Sequence, residues 1–134
     1  MGKFTNLEQD VFSVFNSNAW KAEGITTVPV NFQASTIAGE FIRVAILPSS
    51  VGLNLRSTSG VCLIDIFIPA GAGPRRASTI ADKLDEYLCG KSLNTGSGVT
   101  QFSKSALSHK GIDRDNLTLY HSSYTVLFNH FGVS

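Results

Sequence analysis

Residues 60–90 read GVCLIDIFIPAGAGPRRASTIADKLDEYLCG, and the reading of this stretch decides the fold. Val61, Cys62, Leu63, Ile64, Ile66, Phe67 and Ile68 are apolar on both alternating sets of positions, with Asp65 as the interruption. A strand of this kind is expected to be covered on both faces and to lie at the centre of a sheet. Pro69 cannot donate to a ladder, and Gly71, Ala72 and Gly73 permit a tight reversal, so the strand has to end there. Pro74 suits the first turn of a helix. Ala77, Ile80, Ala81, Leu84, Tyr87 and Leu88 then recur at steps of three and four, with Arg76, Asp82, Lys83, Asp85 and Glu86 on the other side. Gly90 stands where a left-handed stop belongs. A strand that needs cover is followed at once by a helix with one apolar face, which predicts a helix lying on a sheet.

Toward the N-terminus, FIRVAIL at Phe41–Leu47 predicts a strand, interrupted at Pro48 and resumed by the alternation of Val51, Leu53 and Leu55. With Ser57–Gly60 as the turn, Phe41–Arg56 and Gly60–Ile68 form one long hairpin, its arms longer than the usual strand of about five or six residues. Its outer end is not expected to lie wholly over the core of so small a domain. Thr26–Phe32, broken by Pro29, predicts an edge strand, and Ala19–Ile25 is ambiguous. Leu7, Val11, Val14 and Phe15 share one face of a short helix, opened by Thr5 with Glu8 or by Asn6 with Gln9 as a capping pair. Beyond the main helix, Ser92–Gly98 reads as a polar glycine loop, Val99–Leu107 as a strand and Gly111–Asn116 as a turn. Leu117–Phe131 reads as a long last strand with Tyr120, Tyr124, Val126 and Phe128 on one face. The predicted class is α+β: a single mixed or antiparallel sheet with a long hairpin, packed against two helices, in one domain over residues 1–134.

The composition agrees with a folded domain and narrows its partners. Of 134 residues, 43% are hydrophobic and 16% charged, a low charge that points to surface buried in an assembly. Eleven Lys and Arg against ten Asp and Glu give a net charge of +1, so no concentrated basic field directs the chain to nucleic acid or to a membrane. Cys62 and Cys89 fit buried thiols of a reducing compartment better than a disulfide framework. MGKFTNLEQD carries no apolar signal region and no run approaches ~18 apolar residues, so a soluble, unprocessed chain is expected.

Motifs for chemistry are weak. Gly90-Lys91-Ser92 imitates the end of a phosphate loop, but Asp85 stands where that loop needs glycine, and the segment follows a helix instead of joining strand to helix. Arg75 and Arg76, beside the glycine turn and the helix start, are candidate anion contacts, although an ordinary strand-to-helix turn explains the glycines equally well. His109, His121 and His130 share no ligand spacing, and His121 and His130 have opposite parity on the last strand. Asp113-Arg114-Asp115 reads as a turn, and Asn116-Leu117-Thr118 lacks the secretory context of a glycosylation sequon. There is no Gly-x-Ser-x-Gly elbow. Asp65 is the carboxylate with the most unusual setting, and Arg43 on the neighbouring arm or a subunit interface accounts for it more readily than catalysis does. The expectation is a protein without catalytic residues, metal or cofactor.

The helix Leu7–Phe15, the hairpin Phe41–Ile68, the turn Pro69-Ala70-Gly71-Ala72-Gly73, the helix ASTIADKLDEYLCGK and the strands near Val99 and Leu117 together resemble the tail terminator, or tail completion, proteins of long-tailed bacteriophages. The resemblance covers nearly the whole chain and rests on order and length of elements. It implies a non-enzymatic virion protein forming a homohexameric ring at the head-proximal end of the tail. That ring would end polymerisation of the tube and join it to head or neck connector proteins, after assembly in the host cytoplasm. DNA would pass through the channel without sequence readout. Leu53 and Leu55, on one face of the outer hairpin, are candidate subunit contacts together with the hairpin charges Arg43, Arg56 and Asp65; the alternative is an arm curled over its own sheet. Rival readings are a tube or neck-joining subunit, which would form open stacks or other joints, and a small α+β enzyme, which would need a convergent polar pocket.

Overall fold

The computed structural model describes residues 3–29, 40–51, 57–69, 71, 74–96, 98–112 and 119–132. Three helices and six strands occur among them. In chain order these are α1 (Lys3–Phe15), α2 (Asn18–Ala22), β1 (Thr27–Pro29), β2 (Phe41–Val51), β3 (Thr58–Pro69), α3 (Pro74–Tyr87), β4 (Ser92–Gly96), β5 (Gly98–Ile112) and β6 (Leu119–Gly132). All six strands join one sheet in the order β1-β2-β3-β6-β5-β4, mixed because β1 runs parallel to β2 while the other pairs are antiparallel. The α+β expectation therefore holds, with β3 and β6 as the two central strands.

Parity along β3 sets the layers. Cys62, Ile64, Ile66 and Ile68 are fully buried beneath the helices, in one core with Leu7, Val11, Val14 and Phe15 of α1, Trp20 of α2 and the α3 stripe Ala77, Ile80, Ala81 and Leu84. From β6 the same core takes Tyr124, Val126 and Phe128, the shared face expected from the sequence. The other face of β3 departs from the expected double cover. Val61, Leu63 and Asp65 are only half-buried, and Phe67 alone of that set is buried, stacked on Phe41 with ring centroids 4.8 Å apart. The reason is that the described helices lie on one side, so among the described residues the opposite side is sealed where Val28, Phe41, Phe67 and Leu119 cluster.

Three boundaries move. Helix α1 begins at Lys3, so Thr5 and Asn6 lie inside it, and Asn6 is buried instead of capping. The ambiguous stretch after it forms α2, because the Ser17 hydroxyl accepts the Trp20 amide at 3.2 Å and the Trp20 indole, buried, donates to Thr27 Oγ1 at 2.9 Å. The residues expected as the hairpin turn, Thr58 to Gly60, belong to β3. The β2–β3 ladder runs from Phe41↔Phe67 to Val51↔Thr58 with an irregularity between Pro48 and Ser50, where proline can give no ladder bond. The β3–β6 ladder continues to Thr58↔His130, so the far end of the ladder has β6 beside it, and Ser57 and Thr58 are buried. Thr58 to Gly60 therefore lie within the sheet, while residues 52–56 of the expected outer arm lie outside the described residues.

Ser92–Gly96, read as a loop, is instead the edge strand β4; β5 runs on to Ile112, through Gly111 and Ile112 of the expected turn, and β6 spans Leu119–Gly132 where Leu117–Phe131 was expected. Helix α3 keeps its predicted start at Pro74, and Gly90 has φ +73°, the left-handed stop. Two ion pairs tie α3 to the start of the chain: Arg76 grips Glu40 through two bonds of 2.9 and 3.1 Å, and Lys83 Nζ meets Glu23 Oε2 at 3.1 Å.

Candidate functional site

The face of the sheet that no described helix covers, the helix-free face, presents its side chains in cross-strand rows. At one end Phe41 and Phe67 stack, and the His121 ring lies nearly parallel on Phe67 at 4.7 Å. In the next row Arg43 of β2 pairs with Asp65 of β3, and Asp65 pairs with Ser123 of β6. The Asp65 carboxylate gathers three partners: Arg43 Nη2 at 3.2 Å, His121 Nε2 at 2.8 Å and the Ser123 hydroxyl at 3.3 Å. The Arg43 guanidinium also sits 5.2 Å above the Phe67 ring. Arg43 and Asp65, expected either to pair with each other or to sit at an interface, thus form an ion pair inside one subunit, although Arg43 Nε is buried without a hydrogen-bond partner among the described residues.

Beyond this polar row the face turns apolar. Ala45, Leu63 and Thr125 form one row, and Leu47, Val61 and Leu127 the next. Leu47 and Leu127 are each 48% exposed, which places two large aliphatic side chains in water on either side of Val61. Leu53, Leu55 and Arg56, the other candidate contacts, lie outside the described residues. Of the two candidate anion contacts, Arg76 is committed to Glu40, while Arg75 is exposed at the start of α3.

No family model matches the sequence, and no curated protein matches it. The fold recurs in a solved structure. That protein, whose designation states no function, superposes with a TM-score of 0.59 over 97% of this chain and 94% of its own, at 13% identity. Such a likeness carries the architecture alone, and the site has to be read from its own residues.

On the helix side of the sheet lie two polar clusters, one buried and one partly exposed, that no sequence spacing announces. Asp10 of α1, Thr100 of β5 and His130 of β6 are all buried. The Thr100 hydroxyl donates to Asp10 Oδ2 at 2.7 Å, and Thr100 Oγ1 lies 2.8 Å from His130 Nδ1. Burial pushes the His130 imidazole below its ordinary pKa, against the weaker opposing pull of Asp10. In the second cluster the Tyr124 phenol and the Ser105 hydroxyl both donate to Asp85 Oδ1, at 2.6 and 2.7 Å. Burial and the bond to Asp85 push the Tyr124 phenol well up, so it stays a donor. The parity of β6 held the one available signal, since it places His130 on the same side as Tyr124, Val126 and Phe128.

For chemistry these groups offer little that converges. Asp65 orients His121, but the Ser123 hydroxyl donates to the same carboxylate instead of to the ring. His109 Nδ1 meets Ser122 Oγ at 2.9 Å, yet Ser122 is fully buried and cannot reach a substrate. Among the described residues no group of three or more His, Cys, Asp and Glu side chains could hold one metal ion, and no helix is long and apolar enough to cross a membrane.

Proposed function

We propose that this chain is a structural subunit that assembles through the helix-free face of its sheet, as the ring-forming tail terminator of a long-tailed bacteriophage. The observation that carries the reading is the row Leu47–Val61–Leu127. A β-sheet face is stable in water when it alternates to polar side chains, and here two leucines stand half out of the surface beside a row whose charges are already paired. Covering them with protein removes apolar area from water at about 25 cal/mol per Å2, without stripping an unpaired charge. The order of elements supports the finer reading, with the long β2–β3 hairpin and α3 as the features shared with that family. On this reading the partners are further copies of the chain, probed first, then the tube protein below and the head or neck connectors above. DNA passes without readout.

The test is Leu47→Asp combined with Leu127→Asp. Both side chains are exposed in the monomer, so the variant folds, with circular dichroism and a melting temperature close to the parent. Carboxylates placed in a protein interface are costly to bury, so assembly is lost. Native mass measurement of the parent, alone and with tube protein, should give a closed ring that caps tubes, and the variant should give monomer. A parent that stays monomeric even with tube protein, or a double variant that still closes rings, refutes the proposal. Open-ended stacks would favour a tube subunit instead.

A further inference from the structure

The buried cluster of Asp10, Thr100 and His130 has a definite proton arrangement. A threonine hydroxyl carries one proton, and Thr100 gives it to the Asp10 carboxylate at 2.7 Å. The 2.8 Å contact between Thr100 Oγ1 and His130 Nδ1 is therefore donated by the ring, so neutral His130 is the Nδ1–H tautomer and its Nε2 carries a lone pair. The chain of donors runs from His130 through Thr100 to Asp10, from β6 through β5 to α1. Nε2 is buried and has no hydrogen-bond partner among the described residues. A lone pair tolerates that situation better than an N–H does, and far better than an N–H of a cation.

The surroundings of the ring are defined on each side. In register, Thr58 of β3 lies opposite His130 on one flank and Thr100 of β5 on the other, while Asp10 comes down from α1. The charged group acting on the ring is Asp10, whose carboxylate lies 3.6 Å from Nδ1. Asp10 favours the cation, but burial outweighs it, in keeping with the lowered pKa of the ring.

We propose that Asp10–Thr100–His130 is an acid-sensitive latch: it fastens α1 to the sheet while His130 is neutral, and proton uptake at His130 loosens α1 without unfolding β3 and β6. The sign follows from linkage. The folded pKa of His130 lies below the ~6.5 of an accessible histidine, so the stabilisation is complete above pH ~6.5 and is lost as pH falls from there toward the folded value. In that window opening of α1 is linked to proton uptake, of at most one proton, so its opening constant rises as pH falls, by up to about tenfold per pH unit.

Amide hydrogen exchange of the full chain, corrected for the intrinsic pH dependence and followed from pH 7.5 to 5.0, reads this directly. Amides of α1 should lose protection progressively as pH falls below ~6.5, by up to about tenfold per pH unit, while those of β3 and β6 hold theirs. His130→Asn, whose amide can donate to Thr100 as Nδ1–H does, should flatten the α1 response. His121→Asn, which alters the histidine on the opposite face, should leave it intact. The latch is refuted if α1 protection is constant with pH, if α1 and the central strands open together, if the response survives in His130→Asn, or if it vanishes in His121→Asn. Should His130→Asn fail to fold, an NMR titration of the parent ring decides: a His130 pKa at or above the ordinary histidine value overturns the proposal.

Discussion

Leu84→Ala tests whether the α3 stripe belongs to the core of a single subunit. Leu84 is fully buried in the last turn of α3, with Ile80 one turn before it and Leu88, just past the helix end, one turn after, both fully buried. Its neighbours on the same face, Ala77 and Ala81, are too small to fill the space a truncation leaves, and the facing layer is the β3–β6 sheet, which cannot collapse inward freely. The loss should fall in the middle of the range for buried leucines, about 3 to 4 kcal/mol. A chain of 134 residues unfolds with an entropy of about 0.28 kcal/mol/K near its midpoint, at ~2.1 cal/mol/K per residue, so the melting temperature should drop by about 11 to 14 °C. Differential scanning calorimetry or a circular-dichroism melt reads this, with urea titration as a check that the slope is unchanged. A drop of less than about 3 °C would refute the placement. If such a variant also lost assembly, the stripe would be an intersubunit surface.

Other expectations test separate parts of the molecule. Cys62 is fully buried with its thiol pushed up to about 12, whereas Cys89 is half-buried, so alkylation of the native protein at pH 8 should give one adduct, at Cys89; comparable labelling of Cys62 in mass spectra would contradict the core assignment. Gly90→Ala should cost about 1 kcal/mol in urea unfolding, because φ is +73° while an added Cβ meets nothing within 4 Å, and a cost above about 3 kcal/mol would reveal packing instead of conformation. A double-mutant cycle of Arg43→Met and Asp65→Asn should give a coupling of about 1 kcal/mol, the upper end for exposed pairs, since both side chains are mostly covered; zero coupling would make the pair incidental.

Signals that are local in the chain were legible. The strand, turn and helix of residues 60–90 carry their own punctuation, and Pro74 and Gly90 mark α3 because their constraints act on single residues. Pairings between distant residues were not. Asp10 and Thr100 are 90 positions apart, and His121 and Asp65 are 56 apart, so no spacing rule could join them. Asp65 was placed with Arg43 because the hairpin register is nearly local, and that pair is present. The edge strand at Ser92–Gly96 was hidden for another reason: β4 owes its conformation to the β5 backbone, and its own side chains are poor in β-branched residues. The double cover expected for β3 failed at Val61 and Leu63 because apolar sequence records a need for cover but does not say which molecule supplies it.

The place of β6 in the sheet has a consequence for how the protein is made. It follows every other described element in the chain, yet it lies between β3 and β5. About 50 residues separate Pro69 from Leu119, so a ribosome adding roughly 5 to 20 residues per second leaves β3 for about 2.5 to 10 s with an apolar strand edge and no partner on that side. The helix α3 emerges during this interval and can shield one face, but it cannot pair the edge. Soluble yield should then depend on the speed at which the last stretch is translated and on holdase chaperones that bind extended strands. Slow codons between β3 and β6 would lengthen the exposure.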